Sequence, residues 1–199
     1  MHRSLSLLIA ALALVTGCAA PHDDDASDPT TENVDDTTSA FAVEPGPYAL
    51  GRHGGTGGNP HVLKCADSRD VVVGIRGRNA NVIDELGVIC ARLNADGTFG
   101  HDYTTTAYGG NGGTPFTTRC PVGQAVFGLG GSAVTYVDTL GVFCAKPPFE
   151  QIYSGGYGSN GAPTFEDECP ANFLLTSIAV RTGNVVDSIQ GRCSYVGTH

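Results

Sequence analysis

Three segments of this chain share one two-cysteine frame, and that repetition limits the possible folds more than any other feature. They are Cys65–Cys90 (CADSRDVVVGIRGRNANVIDELGVIC), Cys120–Cys144 (CPVGQAVFGLGGSAVTYVDTLGVFC) and Cys169–Cys193 (CPANFLLTSIAVRTGNVVDSIQGRC). Each places an aspartate six residues before its second cysteine: Asp84, Asp138 and Asp187. Each also follows a glycine-rich loop whose first glycine lies eleven residues before the first cysteine. The loops read HGGTGGNPH from His53, YGGNGGTPF from Tyr108 and YGSNGAPTF from Tyr157. A unit of roughly fifty residues cannot bury a core by itself, so the three units must share one.

The repeat reads as strands. Its apolar stretches are short and β-branched: Val71 to Val73, Val88-Ile89, Val134 to Val137, Ile178 to Val180 and Val185-Val186. Turn signals at Arg78-Asn79, Ala95-Asp96-Gly97 and Thr182-Gly183-Asn184 separate them. Phe127-Gly-Leu129 and Leu140 to Cys144 alternate with the period of a strand that buries one face. No segment carries helical periodicity. About four strands per unit give about twelve in all.

The N-terminus differs in kind. Residues 1–17 have a charged start at Arg3 and a short apolar run from Leu5 to Val15, which is the pattern of an export signal. The run ends in Val15-Thr16-Gly17-Cys18, which resembles the bacterial lipobox. That resemblance implies cleavage before Cys18, lipidation of its sulfur and, with Ala19 following, anchoring at the outer membrane. Residues 18–44 then carry eight acids and no Lys or Arg. Like charges and scarce apolar residues make this segment an extended tether. Most of the formal charge of −9 belongs to it. The remaining domain, residues 45–199, is left with about −2 and has no basic footprint for nucleic acid. Its three units run over about 45–100, 101–150 and 151–199.

Seven cysteines less Cys18 leave two per unit. An exported chain meets an oxidising compartment, and of the fifteen possible pairings the repeat favours Cys65–Cys90, Cys120–Cys144 and Cys169–Cys193. Each bridge closes a loop of about 25 residues, worth about 3–4 kcal/mol in the chain-entropy model. No CxxC pair or cysteine-flanking histidine supports a zinc site.

Three threefold all-β architectures suit such a chain: a β-trefoil, a three-bladed propeller and a β-prism of three Greek-key, four-stranded sheets. Trefoils that bind sugar usually carry Gln-x-Trp repeats, and this chain has no tryptophan. The segment from Gly74 to Val88, GIRGRNANVIDELGV, resembles the strand–loop–strand signature of jacalin-related lectins, with its GxxxD loop. The Gly-Gly-x-Gly-Gly loops at 54–58 and 109–113 resemble that family's other marker. The paired CP…C frame also resembles vitelline membrane outer layer protein I, a separate family with the same fold. Both resemblances imply an all-β prism of type I with pseudo-threefold symmetry.

The lectin resemblance also implies a site. In that family the GxxxD loop works with the glycine loop of the next repeat, the last wrapping round to the first. A carboxylate accepts hydrogen bonds from sugar hydroxyls, and glycine lets the saccharide approach the main chain. Carried over, Gly183, Asn184, Val185 and Asp187 pair with Gly54 and Gly55 as the carbohydrate site. A secondary site pairs Asp84 with Gly109 and Gly110, although Ala80 replaces the motif's glycine there. Val134 replaces it before Asp138, and a β-branched residue disfavours positive φ, which ranks this site last. Tyr108, Tyr136 and Tyr157 are candidates for stacking on a sugar face. The simpler account is that each aspartate caps its own hairpin turn.

Signals for catalysis are poor, and no enzyme, cofactor or metal is expected. Gly156–Gly161 matches GxGxxG and Gly128–Ala133 its Ala-ended variant, but neither opens a helix in a βαβ unit. There is no GxSxG or HExxH, and His53, His61, His101 and His199 lack ligand spacing. Glu166-Asp167-Glu168 reads as a solvated acidic edge. The expectation is therefore a lipid-anchored, carbohydrate-binding module whose partners are glycans and a membrane. The alternative is a structural or adhesive surface protein with the same prism and no sugar site.

Overall fold

The computed structural model describes residues 40–146, 150–158 and 164–198, with the backbone alone described for 150–158 and Thr198. The export signal, Cys18 and most of the tether lie outside these residues. Fourteen strands and no helix occur among the described residues. In the first repeat they are β1 (Phe41–Val43), β2 (Tyr48–Gly54), β3 (Asn59–Lys64), β4 (Asp70–Asn79) and β5 (Ile83–Leu93). The second contributes β6 (Phe99–Thr104), β7 (Tyr108–Gly109), β8 (Thr114–Arg119), β9 (Ala125–Ala133) and β10 (Val137–Lys146). The third contributes β11 (Glu150–Gly158), β12 (Thr164–Glu168), β13 (Phe173–Thr182) and β14 (Val186–Thr198).

They form three antiparallel sheets, each built on the hairpin of one cysteine frame. The sheet β11-β10-β9-β12 shows the plan. The second repeat's hairpin, β9–β10, is flanked on both sides by the strands that bracket the third repeat's glycine loop. Three hairpin-connected strands and a fourth returning beside the first make a Greek key. The order β6-β5-β4-β8 repeats it, with β6 and β7 as two pieces of one flanking strand on β5. The last sheet closes the ring between the chain's two ends, because β2 and β3 flank the third hairpin, β13–β14. Every sheet therefore borrows its outer strands from the next repeat, and no repeat has a complete sheet without its neighbour.

Both faces of the hairpins are buried toward their cysteine ends. Ile75, Val88, Leu129, Leu140, Ile178 and Ile189 belong to a central core that also takes all six bridged cysteines. A second cluster gathers the opposite face, including Val71, Val73, Ile89, Phe127, Phe143, Leu174 and Val196. Leu140, Val142 and Cys144 thus face the central core while Phe143 and Ala145 face the second cluster. The period-two pattern marks two apolar faces here, not one. The bridges join Cys65–Cys90, Cys120–Cys144 and Cys169–Cys193, with Cα separations of 5.7, 5.6 and 5.8 Å, as the repeat spacing predicts.

Seams between repeats are closed by stacked rings. His53 lies parallel to Phe165 at 3.9 Å, and His61 to Tyr108 at 4.0 Å. Both pairs join the residue just before one glycine loop to a residue in the strand after another. His53 Nε2 also lies 2.8 Å from Asp167 Oδ2, so the middle acid of the run Glu166–Glu168 serves a seam.

Three expectations change. Phe41–Val43, assigned by composition to the acidic tether, forms β1 and pairs with Val196–Thr198. Phe41 and Val43 pack on the second cluster, and Phe41 N–H donates to the Ala95 carbonyl at 2.9 Å. Two alternating apolar residues were enough to dock this strand inside a segment whose average composition is acidic. Val134 to Val137 is not a strand interior. Val134 and Tyr136 are 58% and 42% exposed at the tip between β9 and β10. Finally, two of the sheets hold five strands rather than four, one through β1 and one through the break between β6 and β7.

Candidate functional site

In two of the three sheets a hairpin tip and a glycine loop meet at one end, and loop and tip come from different repeats. The loop after β2 lies against the tip between β13 and β14, and the loop after β7 against the tip between β4 and β5. The first pairing joins the first repeat to the third, so the pairing wraps around as the lectin resemblance implies.

Gly54 and Gly55 touch the main chain of that tip. Gly54 sits beside Ser188 in the ladder, and a Cβ on it would collide with the Asp187 carbonyl oxygen. Gly55 N–H donates to the Asp187 carbonyl at 2.8 Å and to the Thr135 carbonyl at 3.2 Å. The other loop repeats the contact, with Gly110 N–H donating to the Asp84 carbonyl at 2.8 Å. Gly109 is likewise packed against the Asp84 carbonyl.

The carboxylates meet a different pair of glycines. A Cβ on Gly58 would lie 2.5 Å from Asp187 Oδ2, and one on Gly57 would overlap Oδ1. In the second loop, Cβ atoms on Gly112 and Gly113 would lie 2.5 and 2.6 Å from Asp84 Oδ1 and Oδ2. The loop's last two glycines, not its first two, therefore form the wall facing the acid. Asp187 is 8% exposed and Asp84 9%, and Asp84 Oδ2 is buried without a hydrogen-bond partner. A carboxylate oxygen in that state lacks the donor it requires.

Each loop is held from the other side by an arginine. Arg181 donates through Nε to the Gly57 carbonyl and through Nη2 to the Gly58 carbonyl, both at 2.7 Å. Arg78 does the same to Gly112 and Gly113, again at 2.7 Å. A planar guanidinium fork suits two successive carbonyls, and it fixes the loop against the acid. Sequence reading missed both arginines. Their signal was present, since each stands six residues before its aspartate; the second repeat has Ser132 there.

At the tip, Gly183 N–H donates to the Val185 carbonyl at 3.0 Å, and Asn184 is exposed. The Asn184 carbonyl packs on Gly110 of the neighbouring loop. Gly183 does not adopt a positive φ, and a Cβ there would meet only Asp187 Oδ2 at 3.8 Å and Gly58 Cα at 3.9 Å. The reason for preferring the third repeat, that only glycine satisfies this position, is therefore removed. Alanine fits it, which accounts for Ala80 in the first repeat.

The remaining candidates separate. The loop facing Asp138 and the Tyr157 side chain lie outside the described residues. Tyr108 is occupied by its stack on His61. Tyr136 is exposed at the second tip, beside Thr135, whose carbonyl accepts from Gly55. Gly128–Ala133 lies inside β9, where it cannot cradle a phosphate. No group of three His, Cys, Asp or Glu able to hold a metal ion occurs among the described residues.

No family model and no curated protein matches this sequence. Solved structures do match its fold. Wild-type Malaysian banana lectin superposes with a TM-score of 0.56 at 19% identity, covering 74% of this chain and 98% of its own. A mannose-binding jacalin-related lectin from Ananas comosus gives 0.56 at 19% identity, covering 74% and 96%. Calystegia sepium agglutinin gives 0.55 at 16% identity, covering 75% and 97%. The fold is thus the jacalin-like β-prism, as expected.

Proposed function

We propose that this protein is a carbohydrate-binding module, lipid-anchored at Cys18 to a bacterial outer membrane through its acidic tether, and not an enzyme. One observation carries the reading. On a fold shared with a mannose-binding lectin, an aspartate at a hairpin tip faces an arginine-clamped glycine loop from the next repeat. Glycans fit this chemistry, because their hydroxyls donate to carboxylates and their rings need close access to the main chain. Asp187 is the acceptor, Asn184 and Val185 supply main-chain contacts, and the loop Gly54–Gly58 forms the facing wall. Asp84 with Gly109–Gly113 forms the second site.

A glycan array probed with the full chain tests this, with Asp187→Asn and Asp84→Asn alongside. The wild type is expected to bind a defined set of glycans, and Asp187→Asn to weaken them by about tenfold or more, the worth of a charge-assisted hydrogen bond. An empty array, or equal binding by both variants, would sink the proposal. The burial of both carboxylates favours a second reading, in which they only brace the loops of a structural surface protein like the vitelline outer layer family. That reading expects the empty array together with a loss of about 1–3 kcal/mol of stability in each variant.

Anchoring has a separate test. Expressed in a bacterium, the full chain should partition with membranes and carry acyl chains at Cys18 by mass spectrometry. Cys18→Ala should be soluble, and an unmodified wild-type Cys18 would overturn the anchor.

A further inference from the structure

The three sheets act as internal controls for one another, and one outer face differs from the rest. In the sheet β3-β13-β14-β2, the register aligns Val62, Ala179, Gln190 and Arg52 in one row. The row toward the loops is Pro60, Arg181, Ser188 and Gly54; the row away from them is Lys64, Ser177, Arg192 and Ala49. Leu63, Ile178, Val180 and Ile189 alternate with these residues and fill the central core, so the three rows face outward. That face therefore carries Arg52, Arg181, Arg192 and Lys64 on a domain of slightly negative charge.

The other repeats do not share this. At the position of Arg192, just before the frame's second cysteine, stand Ile89 and Phe143, both buried in the second cluster. At the position of Arg52 stand Ala107 and Gly156. Lys64 is matched by Arg119 and Glu168, Val62 by Thr117 and Glu166, and Ser188 by Glu85 and Thr139. Ala179 and Arg181 are matched by Arg76 and Arg78 in the first repeat's hairpin, but that face also carries Glu85, and its Arg119 pairs with Asp102. The second hairpin's face has Glu166 and Glu168, whereas the three rows named here hold four cations and no acid.

The cations border a groove of about 650 Å³ whose lining holds Arg52, Arg181, Arg192 and His61 and no Asp or Glu. Gly55 and Thr56 also line it, so the groove opens directly onto the glycine loop. Arg181 is committed to that loop. Arg52 is steadied by Gln190, whose Oε1 accepts from Nη2 at 3.1 Å while its Nε2 donates to the Leu50 carbonyl at 2.9 Å. Arg192 also borders a neighbouring hollow lined by Glu44, Asp67 and Asp70, of which the two aspartates pair with Arg92 and Tyr103.

We propose that the glycan held at this loop is an acidic one, with a carboxylate or sulfate seated between Arg52 and Arg192. This rests on the carbohydrate reading of the Asp187 loop and narrows it to one ligand class. Guanidinium forks match carboxylate and sulfate oxygens, and a groove lined by one sign of charge concentrates anions.

The test compares matched oligosaccharides that differ only in a uronate for a hexose or a sulfate for a hydroxyl. The wild type is expected to prefer the acidic member by about tenfold, and less so at high salt. The double variant Arg52→Gln/Arg192→Gln should lose the preference while binding the neutral member unchanged. Arg52→Lys/Arg192→Lys, which keeps charge without the fork, should retain part of it. Equal wild-type binding of neutral and acidic members overturns the inference and leaves the carbohydrate reading standing. No binding of either member removes both. If inorganic sulfate competes as well as the sulfated sugar, and Asp187→Asn leaves binding unchanged, the groove is a plain anion site and the acidic-glycan inference fails.

Discussion

Replacing Cys120 and Cys144 together by alanine is expected to lower the stability of the domain by about 3 kcal/mol. The bridge closes a loop of 24 residues, and removing it restores that chain entropy to the unfolded state. The packing adds to the effect. All six bridged cysteines belong to the central core, where both partners of this bridge are at most 4% exposed, so alanine also leaves a small cavity. Serine at both positions should cost about 1–3 kcal/mol more, because the core offers its hydroxyls no assured partner. Urea unfolding of the oxidised proteins measures this directly, provided the slope is unchanged. A loss below about 1 kcal/mol would mean that the sheets alone set the stability. Removing all three bridges should leave the chain unfolded, because each sheet depends on a neighbouring repeat to complete it.

That interdependence explains what the sequence disclosed. The cysteine frame recurs because one core must be supplied three times, so its pairing was readable from spacing alone. The partnership of each tip with the next repeat's loop came from resemblance, since no local pattern says which repeat a loop will meet. The strand Phe41–Val43 was hidden because composition averages over a window. Docking there depends on two side chains finding one cluster. Val134 to Val137 misled for the opposite reason. Three β-branched residues and a tyrosine have strand propensity, yet the register of β9 against β10 pairs only Val137 with Ala133 and leaves Val134 to Tyr136 at the turn. The clamps of Arg78 and Arg181 were visible as a repeated spacing but not as contacts, because an arginine at a strand end usually faces water. The cationic groove was invisible for the same reason: its residues lie on four strands from the two ends of the chain.

The glycines carry the sharpest correction, and two substitutions should separate it cleanly. Gly58→Ala is expected to cost about 2–4 kcal/mol. Its φ of +63° is disfavoured with a side chain, and its Cβ would meet both the Thr182 main chain and Asp187 Oδ2. Gly183→Ala should change stability by no more than about 0.5 kcal/mol, because it is exposed and its Cβ has only ordinary contacts. It would even gain slightly if the unfolded chain loses freedom. Sequence reading ranks the two the other way, since Gly183 completes a family motif and Gly58 is one glycine among many. Conformation decides otherwise. The loop must pass against the carboxylate without a side chain, whereas the tip has room for one, as Ala80 shows at the equivalent place. Chemical unfolding of both variants settles the order. If Gly183→Ala proves the more damaging, the tip rather than the loop is the constrained half of the site.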